Sequence, residues 1–285
     1  MAKATYAVIG DPIAHSLSPL IHNTLYQTYR LDCEYVPLHV PLKDVPAFME
    51  ARLGRDIAGC NVTMPDKAAV IPFLSWVQDE ASLCQSVNTI AADGRKGWST
   101  DAPGLRSALE LEGGGDYQGK TLLLYGAGSA AAAIALDFAR SGGKRLYLYN
   151  RTEAKAQRIA AFVRENSPLS PKAVPSGCLE AVLPACDLFF NTTPLGMAHT
   201  GAEFPSLGFL DLLPARARVV DLIYNPLETA LLQRAKARGL KTQNGLSMLI
   251  CQAFLSFEHW FGIRPTEADY RSLLARLTLE LQQRG

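Results

Sequence analysis

The stretch Thr121-Leu-Leu-Leu-Tyr125-Gly126-Ala127-Gly128-Ser129-Ala130-Ala131 decides how the rest of the chain is read. A short leucine-rich run bounded by small residues predicts a buried strand. It leads directly into G-x-G-x-x-A and then into an alanine-rich helix over Ala130–Arg140. In that context each small residue has a task. Gly126 permits a tight turn, Gly128 lets a pyrophosphate approach the backbone, and Ala131 lets helix and strand pack closely. Free N–H groups at the helix start favour negative charge. The segment predicts a dinucleotide-binding βαβ unit.

The same alternation continues outward. Strands are expected at Arg145–Tyr149, Leu188–Asn191 and Val219–Ile223, with helices at Glu153–Glu165 and Glu228–Arg238. Gly239 follows as a left-handed cap. Upstream, strands are expected at Tyr6–Ile9, Tyr35–Val40, Ile57–Val62 and Val87–Ala91. Helices over Pro19–Tyr29, Leu42–Leu53 and Asp66–Gln78 lie between them. This predicts an α/β protein of two domains, an N-terminal α/β domain with a mostly parallel sheet and a Rossmann domain. A helix over Leu105–Leu111 and the spacer Glu112-Gly-Gly-Gly-Asp116 mark the junction. The helix Ser247–Phe261 carries Gln252, Ser256 and His259 along one stripe. It is the first of the C-terminal helices expected to return to the first domain, leaving a cleft between the two. The domains are thus drawn as 1–104 plus 246–285, for substrate and catalysis, and 105–245, for the dinucleotide.

Composition narrows the function. The 285 residues are 48 % apolar and 19 % charged, which suits two packed domains. A net charge of +1 gives no broad basic field for nucleic acid. The six cysteines form no C-x-x-C pair and read as buried thiols of a reducing compartment. The N-terminus enters a strand pattern without a signal-peptide profile, and the most apolar helix is too short to span a bilayer. These features predict a cytoplasmic protein, monomeric or homodimeric, acting on a small molecule.

The end of the second dinucleotide-domain strand reads Asn150-Arg151-Thr152, with Lys155 one turn on. An acid there would hold a ribose 2′-hydroxyl, whereas a cationic pair suits a 2′-phosphate, so NADP is favoured over NAD.

Three polar clusters fall at strand ends or loops of the first domain. They are Gly10 to Asn23 with Ser16 and Ser18, Asn61-Val-Thr63-Met-Pro-Asp-Lys67, and Asn88-Thr89 with Ser99-Thr100-Asp101. Hydroxyls, amides, one lysine and one aspartate suit a hydroxyl-rich ligand with a carboxylate. Taken singly, Lys67 could be solvated surface and Asp101 a helix cap. His15 reads as support for the serine loop and His22 as part of a helix face. His39, His199 and His259 carry less chemistry, and Met197 could be core.

In this order the motifs resemble the shikimate dehydrogenase family over nearly the whole chain. They include S-x-S-P, N-V-T-x-P-x-K, V-N-T-I, T-D, the glycine loop, N-R-T, Asn191-Thr-Thr-Pro-Leu-Gly-Met197, Asp221-Leu-Ile-Tyr224-Asn-Pro and Gly245-Leu-Ser-Met-Leu-Ile-Cys-Gln252. The resemblance implies NADPH-dependent reduction of 3-dehydroshikimate to shikimate. It implies that Ser16 and Ser18 bind the carboxylate, that Asn61, Thr63, Asn88 and Gln252 hold ring hydroxyls, and that Tyr224 closes the pocket. Lys67 and Asp101 become the catalytic pair. Gly126, Ala127, Gly128, Ser129, Ala130, Asn150, Arg151, Thr152 and Lys155 take the cofactor. Asn191, Thr192, Leu222, Gly245 and Met248 line its nicotinamide end. A lysine fits the chemistry, because hydride transfer to a ketone builds charge that a proton-donating cation stabilises.

The chain departs from the family pattern at Ser99, at Ala102-Pro103, at Gln85-Ser86 where Gly-Ala is usual, and at Ser129. Quinate dehydrogenase is the nearest rival reading, with other ring analogues behind it. A catalytically silent NADP-binding sensor is the alternative of another class.

Overall fold

A computed structural model describes residues 3–198 and 200–284; His199, noted above, lies outside the described residues. The chain divides into two compact units, one up to Gly104 with Leu249–Leu277, the other Leu105–Met248 with the chain from Thr278 onward.

The first unit contains β1 (Ala4–Gly10), α1 (Ser18–Thr28), β2 (Cys33–His39), α2 (Val45–Ala51), β3 (Gly59–Val62), β4 (Trp76–Val77), α3 (Asp79–Leu83), β5 (Thr89–Ala91) and β6 (Lys96–Trp98). α4 (Asp101–Leu111) leads out of it. Its sheet has the order β2-β1-β3-β5-β6-β4. β1 pairs in parallel with β2 and β3, and β4 with β6. β5 runs antiparallel to both its neighbours, which gives a mixed sheet.

The second unit contains β7 (Thr121–Tyr125), α5 (Ser129–Arg140), β8 (Arg145–Tyr149), α6 (Glu153–Asn166), β9 (Lys172–Ala173), α7 (Leu179–Val182), β10 (Leu188–Asn191), β11 (Arg218–Asp221), α8 (Ala230–Ala237) and β12 (Lys241–Gln243). Its six-stranded sheet is parallel throughout, in the order β12-β11-β10-β7-β8-β9. Counted from its own first strand this is the 3-2-1-4-5-6 order of dinucleotide-binding sheets. The direction of winding reverses between β7 and β10. Leu122, Leu123 and Leu124 are fully buried there, at roughly 2 kcal/mol of hydrophobic stabilisation each.

α9 (Leu246–Phe261) and α10 (Glu267–Arg284) complete the chain. From Leu249 to Phe261, α9 belongs to the first unit, where Trp260 Nε1 donates to the Ile90 carbonyl at 3.0 Å. α10 starts on a reciprocal cap. Asp269 N–H donates to Thr266 Oγ1 at 3.2 Å, and Thr266 N–H to Asp269 Oδ2 at 2.7 Å.

Two expected helices differ. Asp66–Gln78 is not a helix but turns, a 3₁₀ turn at Ile71–Phe73 and edge strand β4. Pro72 interrupts the pattern, and the Lys67 carbonyl accepts from the Val87 N–H at 3.1 Å. Leu42–Leu53 splits into a 3₁₀ turn and α2, which takes Pro46 in its first turn. The glycine spacer also differs from a loose linker. Gly113 and Gly115 hold φ of +68°, and Gly114 N–H donates to the Leu109 carbonyl at 2.6 Å.

Candidate functional site

In the first unit the predicted residues converge on the ends of β3, β5 and β6 and the start of α4. Thr63 follows β3 closely because Gly10 has no side chain: a Cβ there would lie 2.4 Å from Thr63 Cγ2. Lys67 sits in the turn after β3 and donates to Oδ2 of Asp101. The other oxygen, Oδ1, accepts from Asn88 Nδ2 at 2.9 Å. Thr100 precedes α4 and takes the position of its N-cap, its carbonyl accepting from the Gly104 N–H at 2.9 Å. Asp101 therefore lies in the first turn, where the helix dipole favours a carboxylate, and its side chain faces Lys67 and Asn88. The lysine and aspartate side chains are only 16 % and 11 % exposed. Asp66, next in sequence to Lys67, is buried, and neither carboxylate oxygen has a hydrogen-bond partner among the described residues. Burial raises its pKa, with Asp11 adding to the effect. The carboxylate that engages Lys67 is thus Asp101.

Asn88 is in turn fixed by Thr100, whose N–H reaches Asn88 Oδ1 at 2.8 Å. Asn61 sits behind it. Its amide nitrogen faces the Asn88 carbonyl at 3.0 Å, Thr89 Oγ1 at 3.1 Å and Ser256 Oγ at 2.9 Å. Its oxygen accepts from the Tyr35 hydroxyl at 2.7 Å. Both amide hydrogens of Asn61 therefore have acceptors within the protein, and its oxygen keeps a second lone pair. Tyr35, Thr89 and Ser256 join this network without having been assigned a role in the sequence, although Thr89 stands in the third polar cluster. The polar stripe of α9 points to Ser256, whereas nothing around Tyr35 in sequence marks it. His22 stacks on Tyr35 at 4.3 Å and is fully buried. That burial pushes its pKa down to about 3, and Asn61 opposes the shift without meeting hydrogen-bond geometry.

Ser18 is buried at the start of α1, and its N–H donates to Ser16 Oγ at 3.3 Å. Gln252 is buried on α9 and donates to the Leu249 carbonyl at 2.7 Å. Gly104 lets α4 press against it, since a Cβ would come 2.7 Å from the Gln252 nitrogen. His15 is exposed. His39 Nε2 pairs with Asp11 Oδ1 at 2.9 Å, and His259 stacks on Trp98.

In the second unit, Gly126 has φ of +124°, and a Cβ on it would lie 2.3 Å from Thr192 Oγ1. This turn sits where β7 and β10 diverge. Ala127 and Gly128 follow; around Gly128 the space is open, and a Cβ would meet nothing within 4 Å. Ser129 and Ala130 open α5, whose first bond runs from the Ala132 N–H to the Gly128 carbonyl. The amides ahead of Ala132 point out of the helix start, free for an anion. Beyond β8, Asn150 Nδ2 donates to the Thr152 carbonyl at 2.9 Å and shapes the turn into α6. Arg151 and Lys155 are exposed, and neither side chain makes a hydrogen bond or ion pair among the described residues. A narrow glycine turn, an open Cα, free amides and two unengaged cations fit a phosphorylated dinucleotide.

The loops after β10 and β11 are locked together. Asn191 Nδ2 donates to Asp221 Oδ1 at 2.9 Å, and Asp221 Oδ2 accepts from Thr229 at 2.6 Å. Burial raises the Asp221 pKa against those hydrogen bonds. Thr192 Oγ1 donates to the Tyr125 carbonyl at 3.1 Å. Gly245 accommodates Leu222: a Cβ would fall 2.0 Å from the Leu222 carbonyl oxygen. Tyr224 and Met248 are half-buried, and Met197 is exposed.

Residues 8–90 match the family model of the shikimate dehydrogenase substrate binding domain, and residues 245–274 that of the shikimate 5′-dehydrogenase C-terminal domain. The chain is 39 % identical over 271 residues to the shikimate dehydrogenase (NADP(+)) of Desulforamulus reducens, covering 94 % of this chain and 93 % of that one. The crystal structure of shikimate 5-dehydrogenase from Thermus thermophilus, in complex with NADP(H) and shikimate, matches with a TM-score of 0.84 at 35 % identity, over 96 % of this chain and 99 % of that one. Quinate dehydrogenase from Corynebacterium glutamicum, in complex with NAD, matches with a TM-score of 0.84 at 27 % identity, over 96 % and 99 %. The chain belongs to the shikimate dehydrogenase family.

Proposed function

We propose that this chain is an NADP-dependent oxidoreductase that reversibly reduces 3-dehydroshikimate to shikimate. The observation that carries the reading is the Lys67–Asp101 pair, shielded from solvent and held by Asn88 on the carboxylate's free oxygen. Bound NADPH supplies the hydride. The protein's part is to place and protonate the ketone oxygen. Lys67 presents an ammonium that stabilises the charge developing on that oxygen and gives up a proton to it. Asp101 keeps the ammonium aimed, and Asn88 keeps Asp101 from rotating away. Ser16 and Ser18 offer hydroxyls to the substrate carboxylate. Thr63, Asn88 and Gln252 would hold the ring hydroxyls, and Tyr224 would close the pocket. Asn61 would hold a ring hydroxyl with them, through the second lone pair of its Oδ1.

On the cofactor side, Gly126, Ala127, Gly128, Ser129 and Ala130 would hold the pyrophosphate. Asn150, Arg151, Thr152 and Lys155 would hold the 2′-phosphate. Asn191, Thr192, Leu222, Gly245 and Met248 would line the nicotinamide pocket. We place the enzyme in the cytoplasm, the setting that suits six cysteines with no disulfide among them, and as a monomer or homodimer.

The test is a spectrophotometric assay in the oxidation direction, crossing shikimate and quinate with NADP and NAD. Shikimate with NADP should turn over fastest, and Lys67→Ala should slow it by about 10²–10⁴-fold. Faster quinate turnover would move the assignment to the quinate branch. A folded, NADP-binding protein that turns over neither substrate would overturn the reading.

A further inference from the structure

The starts of the second unit's parallel strands lie at the edge of the sheet opposite the glycine loop. The length of β7 separates the two edges, roughly 17 Å at about 3.3 Å per residue. A cavity of about 490 Å³ opens there. Its charged lining is Lys120, Arg216, Arg218, Lys241 and Asp187, four cations against one carboxylate, in a chain whose net charge is +1. Asp187 is already engaged, by Arg216 Nε at 2.7 Å and the Thr121 N–H at 2.9 Å. No carboxylate lies within ion-pair distance of Lys120, Arg218 or Lys241 among the described residues, although Asp187 acts through space on Lys120 and Glu112 on Arg218.

Arg218 is the informative member. It is 7 % exposed, yet its hydrogen bonds go to neutral oxygens, the Glu112 carbonyl at 3.1 Å and Gln243 Oε1 at 3.5 Å. A buried guanidinium without a bonded carboxylate is costly and has N–H groups to give. The glycine tract makes room for it: a Cβ on Gly114 would lie 3.2 Å from Arg218 Nε. The same tract brings Gly115 beside Lys120, with a would-be Cβ 3.9 Å from Nζ. Glycine at these positions thus keeps backbone rather than side chain in the cavity wall.

We propose that this cavity is a binding site for a small anion of two or more negative charges, a phosphate ester or polycarboxylate, separate from the dinucleotide and substrate sites. Its volume fits a small molecule and not a polymer. Lys120 and Lys241 meet the charge from the rim, and Arg218 meets it from the wall.

The experiment is isothermal titration of inorganic pyrophosphate, and separately citrate, into the full chain saturated with NADP, at fixed ionic strength. Saturation keeps the probe out of the glycine loop. Saturable binding is expected for at least one probe. Lys120→Ala and Lys241→Ala should each weaken it by about tenfold, and Lys172→Ala, at the start of β9 outside the lining, should leave it unchanged. Both variants replace side chains at the cavity rim, which leaves buried Arg218 and the fold in place. Binding of pyrophosphate alone identifies a phosphate-bearing ligand, and binding of citrate extends the class to polycarboxylates. No saturable binding by either probe, or affinity in the two lysine variants equal to that of the parent, overturns the proposal.

Discussion

Lys67 and Asp101 are joined directly, ammonium to Oδ2, and Asn88 holds the aspartate's other oxygen. The pair is therefore aimed before any ligand arrives. Lys67→Ala is expected to lower kcat for shikimate oxidation by about 10²–10⁴-fold with a much smaller change in KM. Steady-state kinetics with NADP decides it. A change confined to KM would reduce Lys67 to a binding group.

Arg151 stands exposed and unengaged at the end of β8. Arg151→Ala should raise KM for NADP by roughly 10–100-fold, the loss of a charge-assisted contact to phosphate, while NAD kinetics barely move. Equal losses with both dinucleotides would place the guanidinium away from the 2′-phosphate.

His22 makes the fold acid-sensitive. Its ring titrates near 6.5 when exposed, but burial holds it down to about 3. Between those values the unfolded chain binds a proton that the folded chain refuses. The stability linked to neutral His22 is intact above about pH 6.5. It falls by up to about 1.4 kcal/mol per pH unit as pH drops toward 3. His22→Phe keeps a ring against Tyr35 and removes the titration. Urea midpoints taken at about pH 7 and about pH 4.5 should differ less in the variant than in the parent. Identical differences would clear His22 of that role.

Gln85 and Ser86 stand where the family usually has Gly-Ala, and the backbone shows the consequence. Gln85 has φ of +50°, and the buried Ser86 hydroxyl has no partner among the described residues. Replacing the pair with Gly-Ala relieves a left-handed side chain and an orphan hydroxyl. It should stabilise the protein by about 1–2 kcal/mol, read as a rise in the thermal midpoint without loss of activity.

In the second unit the central strands are legible in the sequence residue by residue, whereas the expected strand Val219–Ile223 is observed as Arg218–Asp221. The runs Thr121–Tyr125, Arg145–Tyr149 and Leu188–Asn191 are central strands, the first two flanked by helices on both sides in sequence. Their apolar runs and small-residue turns coincide with the observed bounds. Short edge strands such as β9 and β12 have two or three residues and too little pattern to detect. In the first unit, Asp66–Gln78 carries helical apolar spacing, yet tertiary hydrogen bonds and Pro72 settle it otherwise. α10 is expected only as one of the C-terminal helices, without bounds, although the capping box Thr266-Glu-Ala-Asp269 signals its start. At the site, Lys67, Asn88 and Asp101 stand in motifs and are joined by hydrogen bonds. Tyr35 could not be found that way, because its role arises from a contact with Asn61 across 26 positions of sequence.

The two sets of charges described here live in different dielectric surroundings. Lys67 and Asp101 are shielded, whereas Arg151 and Lys155 stand in water. Attraction in water decays over a Debye length, about 8 Å at physiological ionic strength. With the proposed role for Arg151 and Lys155, choice of dinucleotide is partly a property of the medium: added salt should erode the preference for the phosphorylated form while the rate of the chemical step holds. With the proposed roles, the chemistry is insulated and the cofactor discrimination is left to the ionic strength of the surrounding solution.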